Sequence, residues 1–229
     1  MPVLDREEYI EQAYFWRTFF ERLQDGVPGQ EIIVQVTEEI LSTTKLPMAL
    51  EVLVGELRHR GKLSDGLALL PHYFNPFQIL VLTKAEDEGL RFDTLVGLKI
   101  LEAEAEYRSR ETATVAGLFL YQFECVARNR LGYHDGMQAI AADPLFNDDW
   151  KQWVRWVSQQ LGAAEFCEFL YMRSEFAVEE KRRTLGDPDW RPEKPMLFGV
   201  REGRIAKANR GKDPLYMFSA LQRQLGYPA

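Results

Sequence analysis

Residues Glu56–Leu90 read ELRHRGKLSDGLALLPHYFNPFQILVLTKAEDEGL. Helix-forming runs alternate here with stop signals. Gly61 ends one helix, Ser64 is placed to cap a short one ending near Leu70, and Pro71–Phe74 form a turn. Asn75, Pro76 and Gln78 then fall at N-cap, N1 and N3, the spacing of a capping box. The helix they open runs to Glu88, and Gly89 closes it. Nothing in the stretch alternates with the period of two that a half-buried strand needs.

Outward from this stretch the same grammar holds. Toward the N-terminus, Tyr9, Ala13, Trp16, Phe20 and Leu23 form one apolar stripe of a helix over 6–24, widened by Phe15 and Phe19. Asp25-Gly26 ends it and Pro28 opens a second helix over 29–42. Ser42, Thr43 and Thr44 are N-cap candidates for a third, with Pro47 in its first turn and Gly61 as its stop. Toward the C-terminus, Asp93, Thr112 or Thr114, Asp135, and Asn147 or Asp148 are placed to cap further helices. The tryptophan-rich one carries Trp150, Trp153 and Trp156, expected to fill a core between two bundles. A long helix is expected over 163–184. After Gly186 the composition turns proline-rich and loop-like, then polar and basic, and Pro214 opens a short final helix. Only Met196–Val200 offers a possible strand. The fold class is all-α.

The pattern recurs downstream. Arg58-His59-Arg60 is matched by Arg128-Asn129-Arg130, and Asp65-Gly66 by Asp135-Gly136, each 70 residues on. Pro71, Phe77 and Gly89 are matched by Pro144, Trp150 and Gly162, each 73 on. The expected organisation is two tandem antiparallel helical bundles, 1–110 and 111–185, related by internal duplication, followed by a basic extension over 186–229.

The first unit resembles the cytoplasmic helical domain of type II secretion F proteins, the platform family shared with type IV pilus systems. Phe15-Trp16-Arg17 opens the pattern and Gly26-Val27-Pro28 follows. Gly61-Lys62-Leu63-Ser64, Pro71-His72-Tyr73-Phe74-Asn75-Pro76 and Glu86-Asp87-Glu88-Gly89 complete it, covering about residues 12–108. The family places Gly before that glutamate where this chain has Ala85. The resemblance implies a six-helix bundle acting as a protein–protein scaffold, not an enzyme, with a secretion or pilus-like assembly as its wider setting. The transmembrane helices that accompany the domain in that family have no counterpart here.

Charge is uneven. Residues 1–110 hold 12 Lys/Arg against 19 Asp/Glu and 111–180 hold 5 against 11. Residues 181–229 hold 11 against 5, a basic extension on an acidic body. No apolar run reaches the roughly 18–20 residues of a membrane span, and the acidic start of the chain, MPVLDREEYIEQ, does not read as a signal peptide. Cys125 and Cys167 lie in apolar helical patterns with no CxxC spacing, so buried reduced thiols and a cytoplasmic location are expected.

No P-loop, GxGxxG, GxSxG or HExxH motif occurs, so no catalytic residues, cofactor or metal ligands are assigned. Glu56 and His59 have the Glu-x-x-His spacing of a helix-borne metal site, which carries the alternative of a metal-binding helical-bundle enzyme. A second such motif is missing. His134 could interact with Asp135. Glu102, Glu104 and Glu106 are expected on a solvated helix face. Glu86, Asp87 and Glu88 crowd a helix C-terminus against its dipole, which makes them candidate partner-binding residues. Arg201, Arg204, Lys207, Arg210 and Lys212 are the other candidates. They would hold a protein partner or pack on the chain's own acidic body. Nucleic-acid binding through them is a further alternative, disfavoured by the acidic balance. A small-molecule substrate is not expected. The function expected is that of a non-catalytic scaffold or adaptor, working through a protein partner or self-association.

Overall fold

In the computed structural model, which describes residues 4–87 and 89–229, thirteen helices carry the chain and no strand of a sheet forms among the described residues. They are α1 Arg6–Gln24, α2 Gly29–Glu39, α3 Leu46–Arg60, α4 Leu63–Leu69, α5 Pro76–Ala85 and α6 Thr94–Ser109. There follow α7 Val115–Arg128, α8 Tyr133–Ala142, α9 Asp148–Gln160, α10 Phe166–Met172, α11 Glu175–Leu185, α12 Val200–Ala208 and α13 Pro214–Leu225. Among the described residues no helix is long and apolar enough to cross a membrane. Both cysteines are buried and free.

Local signals place many boundaries. Asn75 accepts from the Gln78 backbone N–H, and the Gln78 side chain accepts from the Asn75 N–H, so the capping box is complete. Asp93, Thr114 and Asn147 cap α6, α7 and α9 through their side chains. Gly61 ends α3 with φ +74°, a conformation that a side chain resists.

Other boundaries are set at a distance. The N-cap of α3 is Lys45, not Ser42, Thr43 or Thr44. The Lys45 N–H donates to the Glu8 carboxylate on α1, while the Thr44 hydroxyl turns back to the Leu41 carbonyl. Helix α4 begins at Leu63, one residue before Ser64, with Lys62 at its N-cap. The free N–H groups of Leu63 and Ser64 donate to the Glu86 carboxylate at 2.6 and 2.9 Å. Helix α8 begins at Tyr133 rather than after Asp135.

The helix expected over 163–184 is broken at Arg173–Ser174. Ser174 is fully buried and caps α11 through the Ala177 N–H. The break is where residues 197–198 enter. Leu197 and Phe198 N–H donate to the Arg173 carbonyl, and Glu175 N–H donates to the Phe198 carbonyl, forming one parallel bridge. The possible strand at Met196–Val200 is thus a single bridge. The basic stretch forms α12, and Gly203 lets that helix rest directly on the Ser174 side chain.

Helix α1 packs along α6 and α2. Helix α5 bridges to α8, and α12 sits against α10, α11 and α13. One apolar core runs without interruption from Ala13 to Tyr227. The 186–229 segment contributes Phe198, Ala206, Met217, Phe218, Leu221 and Tyr227 to it. Phe198 packs edge-on to Trp150 and Trp153, with ring centroids 5.2 Å away in each case. Burying each such side chain contributes about 1.5–3 kcal/mol. This segment therefore completes the second half of the fold rather than trailing from it. Trp156 stays half-exposed beside Phe169.

Polar groups also tie the halves together. On α6, Glu104 and Arg108 have side chains 0% and 4% exposed, and Arg108 bonds both Glu104 and Asp143. Gln122 on α7 donates to both carboxylates, and Asn75 donates to Glu104. The solvated face expected for the three glutamates is not what forms. Glu104 lies in this cluster, while Glu102 and Glu106 meet Arg17 of α1. Packing of α1 against α6 buries Glu104 and most of Glu102, whereas Glu106 stays partly exposed beside Arg17.

Candidate partner-binding surface

The basic candidates lie along and just beyond α12, where several meet carboxylates at the start of α10 and on α11. Lys207 Nζ contacts both Glu180 oxygens at 2.6 and 2.7 Å. Arg210 holds Glu168 with two nitrogens, Nε at 2.5 and Nη2 at 2.8 Å, a planar fork on a carboxylate. Its guanidinium also lies 4.4 Å over the Tyr171 ring. The Gly211 N–H donates to Glu165, and Arg204 stacks on Phe176. The hydrogen bond from Lys207 holds the Glu180 carboxyl below the usual range, and that from the Gly211 N–H does the same for Glu165. Lys207 and Arg210 are therefore spent on the chain's own body. Arg201 and Lys212 are exposed and make no ion pair among the described residues.

The acidic candidates divide. Glu86 is half-buried and its carboxylate holds the start of α4. That contact explains a charge which the α5 dipole alone would disfavour. Asp87 is exposed and accepts from the Gly89 N–H. Glu88 lies outside the described residues.

The Glu56/His59 pair does not converge. Glu56 pairs with Arg60 and His59 is exposed. His134 meets Gln138, whereas Asp135 is taken by Lys84. Among the described residues no group of three or more His, Cys, Asp or Glu side chains could hold a metal ion. Both thiols are pushed up chiefly by burial, Cys125 to about 12 and Cys167 to about 11, so neither is a ready nucleophile.

Two surface features were not legible in the sequence. One is an apolar groove of about 560 Å³ between α7, the loop after α9 and α13. Phe123, Tyr133, Leu161, Phe166, Leu215 and Phe218 form its floor and walls. Tyr133 and Leu215 on its rim are more than half-exposed. Glu124 and Arg128 pair along its edge, and burial raises the Glu124 carboxyl above the usual range. The other is a cleft of about 400 Å³ between α9 and the α10–α11 junction, with Asp149, Gln152, Trp153, Trp156, Met172, Arg173 and Lys194 around it. Each draws on residues far apart in sequence, so no local motif announces it. A signal was present only in the exposed aromatics, which sequence cannot separate from core.

No protein-family model, curated protein or solved structure matches the chain.

Proposed function

We propose that this chain is a non-catalytic helical scaffold whose groove between α7 and α13 receives an apolar segment of a protein partner. The observation that carries the reading is the groove itself: aromatic and aliphatic side chains stand open to solvent beside a charged Glu124–Arg128 edge. An apolar floor with a polar rim is the layout of a protein-docking surface. An amphipathic helix laid along it would cover Tyr133 and Leu215 and leave its polar face to water.

The kinship of the first unit to the helical domain of type II secretion F proteins is part of the same proposal. It is supported by the structural work done by the shared motif residues: Gly61 stops α3, Asn75-Pro76 starts α5, and Glu86 holds α4. Internal duplication belongs here too. Gly66 lets α4 approach Leu53 of α3, and Gly136 lets α8 approach Val126 of α7 in the same manner. A cytoplasmic setting is supported by two buried, unpaired thiols.

The test is co-purification of the native-cell protein with identification of what binds, repeated with Leu215→Asp and Tyr133→Asp. A partner that rebinds in purified form to the parent, and loses at least tenfold in affinity for both variants, supports the reading. A partner bound equally by all three, or none, overturns it.

A further inference from the structure

Helix α13 is held to the body through one face. Met217, Phe218 and Leu221 are 1%, 6% and 0% exposed and enter the core. The outward face carries Asp213, Tyr216, Ala220 and Arg223, at steps of three, four and three residues. At about 100° per residue such steps stay within an arc of about 80°, so the four side chains form one stripe along the helix. Tyr216 is 68% exposed, more than any other large hydrophobic side chain among the described residues. Asp213 and Arg223 are exposed, and neither has an ion-pair partner among the described residues. Ala220, between Tyr216 and Arg223, is the small position of the stripe.

A single exposed tyrosine calls for no explanation. The order along the stripe does. Asp213 and Arg223 are centred on residue 218, and so are Tyr216 and Ala220. A second α13 laid antiparallel about that centre brings Tyr216 of each copy over Ala220 of the other. The same register brings Asp213 of each copy beside Arg223 of the other. A large side chain meets a small one and each charge meets its opposite, twice, through one two-fold rotation. A parallel pairing would set Tyr216 on Tyr216 and bring like charges together, which opposes association.

We propose that this chain forms a two-fold symmetric dimer by antiparallel pairing of α13 with α13 of a second copy. Ala220 lets the helix axes approach to the about 8–10 Å at which helices pack. The exposed ring of Tyr216 is covered by the other copy, and the two Asp213–Arg223 pairs close the ends of the contact. The face is small. Helix α13 has 12 residues, about 18 Å at its rise per residue, so the contact falls below the roughly 1,200 Å² of a stable interface. The dimer is therefore weak and reversible, with a dissociation constant in the micromolar range. The stripe is separate from the apolar groove, which Leu215 and Phe218 wall from another side of α13, so the dimer does not depend on what the groove binds.

The test is sedimentation equilibrium of the full chain from about 1 μM to about 1 mM, where a reversible monomer–dimer equilibrium is expected. Tyr216→Ala and Ala220→Tyr should each weaken dimerisation about tenfold or more, the first by removing the knob and the second by filling its seat. The double swap, Tyr216→Ala with Ala220→Tyr, exchanges knob and seat and should return the dissociation constant to within about threefold of the parent. Arg223→Glu, an exposed change, sets a carboxylate against Asp213 of the other copy at both ends. It should weaken the dimer about tenfold or more, a loss that high salt reduces. Circular dichroism checks that each variant is folded, and Arg223→Glu decides alone if a change at Ala220 disturbs the helix. A chain that stays monomeric to about 1 mM would overturn the proposal. So would a dimer that Tyr216→Ala and Arg223→Glu leave intact, or a folded double swap that dimerises no better than Ala220→Tyr alone.

Discussion

Replacing Arg108 by Met removes the cation that bonds two carboxylates in a buried cluster. In the parent chain the Arg108 side chain is 4% exposed and those of Glu104 and Asp143 are 0% exposed. Arg108 Nη2 lies 2.9 Å from Glu104 and also bonds Asp143 directly. Methionine fills similar space but leaves two negative charges side by side, held only by the Asn75 and Gln122 amides and the Leu145 N–H. Breaking a buried pair from one side costs about 3–5 kcal/mol. For a chain of this size each kcal/mol moves the melting temperature about 2–4 °C, so a fall of about 6–20 °C is expected. The control is the triple change Arg108→Met, Glu104→Gln, Asp143→Asn. It removes all three charges and keeps acceptors for Asn75, Gln122 and Leu145, so it should return to within about 2 kcal/mol of the parent. Urea and thermal unfolding followed by circular dichroism measure both. The cluster joins α5, α6, α7 and the turn after α8, so the single variant should also loosen the halves from one another. That would broaden the transition or split it in two. A loss below about 1 kcal/mol for Arg108→Met, or a triple variant worse than the single one, would refute the assignment.

Three further outcomes follow from the packing and the shifted groups. Gly203→Ala drives a methyl group into the Ser174 hydroxyl and should cost about 1–3 kcal/mol, whereas Gly55→Ala, with open space around it inside α3, should gain up to about 1 kcal/mol; chemical denaturation compares them. The Glu124 carboxyl is raised by burial, so its ionisation opposes folding as pH climbs through its unfolded pKa toward its folded one, and the penalty is complete above the folded value. Glu124→Gln, which can still accept from Tyr227, should therefore raise the melting temperature at pH 7 and give no gain near pH 4. With Cys125 pushed up to about 12 and Cys167 to about 11, native thiols at pH 8 should react with iodoacetamide at least about 100-fold more slowly than in urea.

Reading helix starts from sequence worked where the cap is local. Asn75, Asp93, Thr114 and Asn147 each sit within three residues of the N–H they accept from. It failed at α3 and α4, whose starts are held by Glu8 and Glu86, 37 and 23 residues away. The Glu86 side chain, singled out as a surplus charge suited to a partner, is partly used up by that contact. The basic residues near α12 were likewise visible, and packing on the chain's own body was one of their expected destinations, but which carboxylates they meet was not legible. Lys207 and Arg210 meet Glu180 and Glu168 only because Ser174 breaks the helix and Phe198 enters beside it. The groove and the Arg173 cleft had no local signature, since each is walled by several separate elements.

What the sequence determined by itself is the all-helical class, most of the helix order and the capped boundaries. Period, caps and stops act within a few residues and need no tertiary partner. What only the tertiary structure decided is which charges are free and which are consumed. Glu104, expected in solvent, is buried against Arg108, and the basic extension both clasps the body and contributes to its core. Arg173, which no motif marked, has two buried nitrogens without a hydrogen-bond partner among the described residues. These outcomes depend on which helix faces meet across long sequence separations, and that is fixed by the packing of one continuous core.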